Sequence, residues 1–184
     1  MVLTTKLQAS SNGPKHSNYM ADFETTTDVE DCRVWLWGIV PIYAECSQQD
    51  MDYGTDVESF LEYVMVNELK VVYFHNLGFD GYFIIDFLLN NGYNHCKNQK
   101  LTPLSFTTLI SKQKKFYSMT VKFADGHIVE FRDSLKKLTM SVDAIAKTFE
   151  LPEQKLFMDY KEYRAPGYQP NEHDLRYLSH DLVI

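Results

Sequence analysis

The sequence predicts an α/β domain, a mixed β-sheet flanked by helices. Three observations carry this reading. Strand-like segments come first, helical segments are interleaved with the later strands, and no internal repeat or interdomain linker divides the chain. At 184 residues the chain suits one domain with a sizeable core.

Residues 1–18 read as a flexible leader, with Ser, Asn, Gly and Pro and no periodicity, and residues 19–184 as the domain. From Tyr19 the pattern is that of a strand. A second strand, rich in β-formers, runs from Val34 to Ala44 and is interrupted by Pro41. Residues 48–54 read as a loop. Asp56 is an N-cap for a helix that places Phe60, Leu61, Val64 and Met65 on one face. Lys70–His75 is a short buried strand, and Gly81–Leu89 a helix stopped by Asn90-Asn91-Gly92. Phe106–Ile110, Lys115–Phe123 and His127–Arg132 follow as strands, the last two joined through Ala124-Asp125-Gly126 as a hairpin. Ser141–Phe149 is an amphipathic helix. After Pro166, Gly167 and Pro170 a last helix starts near Asn171.

Composition narrows the function classes. A hydrophobic fraction of 45% with 14% aromatics excludes a disordered chain. No apolar run is long enough to cross a bilayer, and the N-terminus lacks the apolar segment of a signal peptide. Cys32, Cys46 and Cys96 are odd in number and lack metal-site spacing, which points to reduced thiols in a cytoplasmic protein. The net charge of −7 argues against a protein that coats duplex DNA, but not against an enzyme acting on nucleic acid. Two basic clusters, Lys112, Lys114, Lys115 and Lys122, then Lys136 and Lys137, are either solvated surface or a contact for such a substrate.

Three short motifs carry chemistry. In Asp22-Phe23-Glu24, strand alternation projects two carboxylates from one face. Buried unpaired charges are costly, so a hard divalent cation with oxygen ligands is their natural partner, although the motif alone also fits a solvated pair. His75-Asn76-Leu77-Gly78-Phe79-Asp80-Gly81 sits where a strand hands over to a helix; Gly78 would allow the tight turn, and Asp80 is either a site residue or a helix N-cap. Tyr177 and Asp181, four apart on a helix, share a face. Each motif has an ordinary structural explanation when taken singly.

The ordered set D-x-E, N-x3-D, Y-x3-D resembles the three exonuclease motifs of the DEDD superfamily, which has a ribonuclease H-like fold. The Tyr branch is indicated, because the His branch carries its His five residues before the last Asp, where this chain has Arg176. The run Asp22–Thr27 with Val29–Trp35, the run Tyr73–Leu77 with Phe79–Gly81, and Asp133–Leu138 narrow the likeness to protein-primed family B DNA polymerases of bacteriophages. It extends through Ile145–Lys147, Asp159-Tyr160 and Gly167-Tyr168.

The resemblance implies a proofreading 3′–5′ exonuclease domain. Asp22, Glu24, Asp80 and Asp181 would ligate two Mg²⁺ or Mn²⁺ ions, Tyr177 would orient the attacking water, and Lys155 lies where the family has a catalytic lysine. Thr25, His75, Asn76, Phe79, Ser134 and Leu135 would hold a single-stranded DNA 3′ end. His75 and Phe83 match positions that touch the strand or the priming protein, and each could instead be a packed residue. The implied partners are single-stranded DNA, the polymerase domain of the same full-length protein and a terminal (priming) protein, in the host cytoplasm. A monomer that contacts no membrane is expected. No D-x2-S-L-Y-P or Y-x-D-T-D segment occurs, so the chain is expected to lack a polymerase half. Two other readings stay open: a non-catalytic module that binds single-stranded DNA or the priming protein, and an RNA-trimming exonuclease of the same superfamily.

Overall fold

A computed structural model describes residues 18–28, 30–43, 48–97, 100–152 and 155–184. All of the expected leader but Asn18, and Cys46 with it, lie outside the described residues. Strand β1 (Asn18–Thr25) is followed by β2 (Val34–Pro41), β3 (Asp52–Gly54), helix α1 (Val57–Val66) and β4 (Val71–Phe74). Then come α2 (Leu77–Asn90), β5 (Asn94–His95), β6 (Ser105–Ile110), β7 (Phe116–Lys122), β8 (Ile128–Asp133), α3 (Val142–Thr148) and α4 (Glu172–Val183).

All eight strands form one sheet in the order β3-β2-β1-β4-β8-β7-β6-β5. It is mixed: β1 pairs antiparallel with β2 and parallel with β4, β4 pairs parallel with β8, and β8-β7-β6 is antiparallel. Alternation along the strands divides the interior. Ala21, Phe23, Trp37, Ile39, Val72, Phe74, Val121, Val129 and Phe131 pack on one face with Phe60 and Leu61 of α1 and Leu77, Ile84 and Leu88 of α2. The Phe23 ring meets Phe60 and Phe74 edge-on, at 4.9 and 5.1 Å. On the opposite face Trp35, Leu36 and Val40 pack against Tyr177, Leu178 and Leu182 of α4.

Strand β2 is buried on both sides because it serves both cores. A register shift against β1, where Glu24 pairs with Leu36 but Thr25 with Val34, leaves Trp35 as the extra residue of a bulge. The bulge lets Trp35 and Leu36, neighbours in sequence, both join the α4 side.

Three expectations are corrected. Residues 48–54 are not a plain loop: a 3-10 turn at Gln48–Asp50 leads into β3, which pairs with β2. Helix α2 starts at Leu77 rather than Gly81, so Gly78 lies inside it. The tight turn belongs to Asn76, at φ 81°, and Asp80 falls in the first helical turn rather than at the cap. The two-residue strand β5 was not foreseen. The remaining helix starts are as expected. Asp56 and Ser141 cap α1 and α3, and Asn171 and Asp174 form a reciprocal capping box on α4. No helix of the described residues is long and apolar enough to cross a membrane.

Candidate active site

Asp22 and Glu24 alternate with Phe23 on β1. With Phe23 committed to the aromatic core, both carboxylates face α4. There they meet Asp181. One carboxylate oxygen from each of Asp22, Glu24 and Asp181 lies within 4.8 Å of the others. Asp80 enters from the first turn of α2 and is 3% exposed. The four line one cleft of about 430 Å³ together with Thr25, Thr27, His75, Asn76, Phe79, Ser134, Lys155 and Tyr160.

The electrostatics are those of negative charge gathered out of water. Burial first, and the charge of Asp181 second, push Asp22 up to about 7, with Lys155 partly offsetting them. Burial likewise raises Glu24 and Asp80 well above the usual carboxylate range, with Asp22 adding to both. Oδ1 of Asp80 and Oδ1 of Asp181 are buried without a hydrogen-bond partner among the described residues. Orphaned carboxylate oxygens beside a triad of acids are a donor set suited to hard divalent cations. The cation supplied by the chain itself is Lys155, whose Nζ lies 2.5 Å from Asp181 Oδ2 and 5.4 Å from the Tyr177 ring centre. Burial alone would lower the lysine; its contact with Asp181 carries it above the ordinary value.

The sign of these shifts gives a stability prediction. Asp22 holds its proton in the native domain up to about pH 7 but loses it near 3.8 when unfolded. Over that window the native state binds more protons, so the metal-free domain should lose stability as pH rises, with the raised Glu24 and Asp80 acting in the same direction. Melts in EDTA across the pH range check this; a midpoint that climbs between pH 5 and 7 would contradict it. Added Mn²⁺ should stabilise more at pH 8 than at pH 5, because it competes with those protons.

The cleft's other wall is built from two turns locked together. Asp133, at the end of β8, accepts from the backbone N–H of Asn76 at 3.2 Å and of Leu135 at 2.9 Å, and pairs with Lys136 Nζ at 2.7 Å. His75 Nε2 donates to the Met140 carbonyl at 2.7 Å, and Nδ1 lies 3.1 Å from Ser134 Oγ, whose hydroxyl also reaches the Phe74 carbonyl at 3.2 Å. Phe79 is half-exposed on this wall and meets Phe83 at 5.8 Å. Of the residues anticipated from sequence, all but Tyr177, Leu135 and Phe83 line the cleft. Tyr177 lies beneath it, 1% exposed, its hydroxyl 2.9 Å from that of Tyr160. Burial raises both tyrosines, so both phenols keep their protons at neutral pH.

Tyr160, Thr27 and Asp133 were not singled out from sequence as site residues. Tyr160 reaches the cleft on an irregular segment for which no periodicity exists. The Asp-Ser-Leu run at the end of β8 did contain a signal for Asp133, a carboxylate free to cap the following turn.

A family model described as DNA polymerase type B, organellar and viral, matches residues 62–178. The chain belongs to this family. The DNA polymerase of Bacillus phage B103 is 37% identical over 172 residues, 90% of this chain and 29% of that protein. The solved structure of phi29 DNA polymerase complexed with primer-template DNA superimposes with a TM-score of 0.81 at 32% identity, over 91% of this chain and 29% of that one. The phi29 polymerase complexed with single-stranded DNA gives 0.78 at 32% identity, over 91% of this chain and 30% of that one. This type B polymerase chain thus spans under a third of the length of these relatives, and its eight-stranded sheet is the α/β fold found in that part of the phi29 enzyme.

Proposed function

We propose that this stretch of a phage DNA polymerase is its 3′–5′ exonuclease domain, which removes 5′-mononucleotides from single-stranded DNA 3′ ends and so proofreads replication. The observation that carries the reading is the four-carboxylate floor of the cleft: three acids within 4.8 Å of one another, and a fourth, Asp80, with an orphaned buried oxygen. Asp22, Glu24, Asp80 and Asp181 would hold two Mg²⁺ or Mn²⁺ ions. Bound there, these would polarise the attacking water and neutralise charge on the departing 3′ oxygen.

The chain's own groups supply the rest. Tyr177 is fixed by packing and by Tyr160, and its retained proton makes it an orienting hydrogen-bond partner rather than a base. Phe79 offers an aromatic face for a base, a sequence-tolerant contact that favours a frayed single strand over a duplex. Asn76, Thr25, His75 and Ser134 line the same cleft as polar contacts for the strand, and Leu135 would add an apolar contact beside them. Lys155, which pairs with Asp181 and lines the cleft, would stabilise charge on the pentacovalent phosphate. Lys155→Ala should therefore lower single-turnover kcat about 100-fold while oligonucleotide affinity changes little; an equal loss in affinity would assign the lysine to binding instead. The phi29 complex with single-stranded DNA supports a DNA substrate. We further propose a polymerase domain and a terminal priming protein as partners, in the host-cell cytoplasm.

The test is digestion of a 5′-labelled single-stranded DNA oligonucleotide with Mg²⁺ or Mn²⁺, beside an RNA of the same sequence. A ladder shortening from the 3′ end, absent in EDTA and weaker on RNA, is expected. A folded protein that binds the oligonucleotide but yields no ladder at high enzyme and Mn²⁺ would be a binding module. Preferential trimming of RNA would move the assignment to an RNA exonuclease.

A further inference from the structure

Gly38 is buried on β2, directly opposite Asp22 of β1. A Cβ there would stand 2.7 Å from Leu178 Cδ2, 2.8 Å from Leu182 Cδ1 and 3.0 Å from Leu178 Cγ. Both leucines belong to α4; Leu182 also lines the cleft, but Leu178 is fully buried in the core beneath the helix and has no free space to turn into. Ordinary carbon contacts begin near 3.5 Å, so a methyl at this position would push the helix off the sheet by roughly 1 Å. Leu178 and Leu182 bracket Asp181, and Leu178 follows Tyr177 directly. The close approach that Gly38 allows is therefore the approach that carries Asp181 to within reach of Asp22 and Glu24.

We propose that Gly38 is a positioning residue for the carboxylate cluster: its missing side chain sets the depth of α4 against the sheet, and through it the closure of the metal site. The inference rests on the metal reading above. It separates Gly38 from Gly54, which is packed as tightly. At Gly54 a Cβ would meet the Trp37 ring at 2.6–2.7 Å, an equally hard clash on the other face of the sheet, away from the acids.

That contrast makes the test. Gly38→Ala, Gly54→Ala and the triple variant Gly38→Ala/Leu178→Val/Leu182→Val are compared with wild type. The readouts are the Mn²⁺ concentration giving half-maximal thermal stabilisation, and single-stranded oligonucleotide binding in EDTA. Gly38→Ala should raise the Mn²⁺ midpoint about tenfold or more and leave binding in EDTA within about twofold. Gly54→Ala should lower the melting temperature without moving the Mn²⁺ midpoint, and the triple variant should recover the wild-type response. An unchanged midpoint in Gly38→Ala, or an equal shift in Gly54→Ala, overturns the proposal. Should Gly38→Ala not fold, the triple variant decides. Folding with a wild-type Mn²⁺ response supports the proposal; folding with a weakened response, or failure to fold, overturns it. A wild-type domain indifferent to Mn²⁺ would instead sink the metal reading itself.

Discussion

Replacing Asp22 and Glu24 together by alanine is expected to cut 3′-end digestion about 10³-fold or more, leaving a folded domain that still binds single-stranded DNA. Both residues point from β1 into the cluster with Asp181, and Phe79 and Asn76 lie on a different wall, so strand binding does not depend on them. The same two acids hold stability in check. Burial raises both, with Asp181 adding to Asp22 and both aspartates adding to Glu24, which means the native domain is strained whenever they ionise without a cation. The near-isosteric pair Asp22→Asn/Glu24→Gln should therefore melt above wild type at pH 8 in EDTA, by about 2–4 °C for each kcal/mol of repulsion removed. It should also lose the stabilisation by Mn²⁺. A double alanine variant that still produces the ladder would place the chemistry elsewhere.

The second large effect is structural. Arg164 is 4% exposed in the irregular segment between α3 and α4. Its guanidinium lies 4.5 Å from the Trp35 ring centre and donates to the carbonyls of Asp159 and Glu162, while Asp174, equally buried in the first turn of α4, sits 3.4 Å away. One side chain thus ties the segment bearing Lys155 and Tyr160 both to β2 and to the helix bearing Asp181. Arg164→Ala would leave Asp174 with only its Tyr168 and capping-box partners. The expected cost is about 3 kcal/mol, at the lower edge of the range for breaking a buried ion pair, because those partners remain. Urea unfolding measures it. Arg164→Lys should recover little, since a point charge cannot serve two carbonyls and an aromatic face together. A loss below about 1 kcal/mol, the worth of an exposed pair, would mean the segment is anchored elsewhere.

Much of this architecture could be read in advance because it is local. Period-two alternation in Asp22-Phe23-Glu24 already put both acids on one face, and Asn171 marked where α4 begins. What escaped was non-local. Strands β3 and β5, three and two residues long, exist through their pairing with β2 and β6 rather than through any pattern of their own. The start of α2 was misplaced because a glycine drew the turn to itself, whereas Asn76, which also tolerates the left-handed region, makes it. Tyr160 and Arg164 stand on a segment whose path is set by contacts with Trp35 and α4, more than a hundred residues away and a few residues ahead respectively. That path has no periodicity to detect.

The bulge at Trp35 makes β2 sensitive to changes in chain length. Downstream of it, odd-numbered Trp37 and Ile39 face the aromatic core and even-numbered Gly38 and Val40 face α4. Gaining one residue between the bulge and Trp37 would exchange the two sets, driving the Trp37 indole into the space a hydrogen atom now fills. Sequences descended from this one are therefore freer to vary by substitution in the strand than to change its length. Viable insertions and deletions should collect in the connections on either side of it.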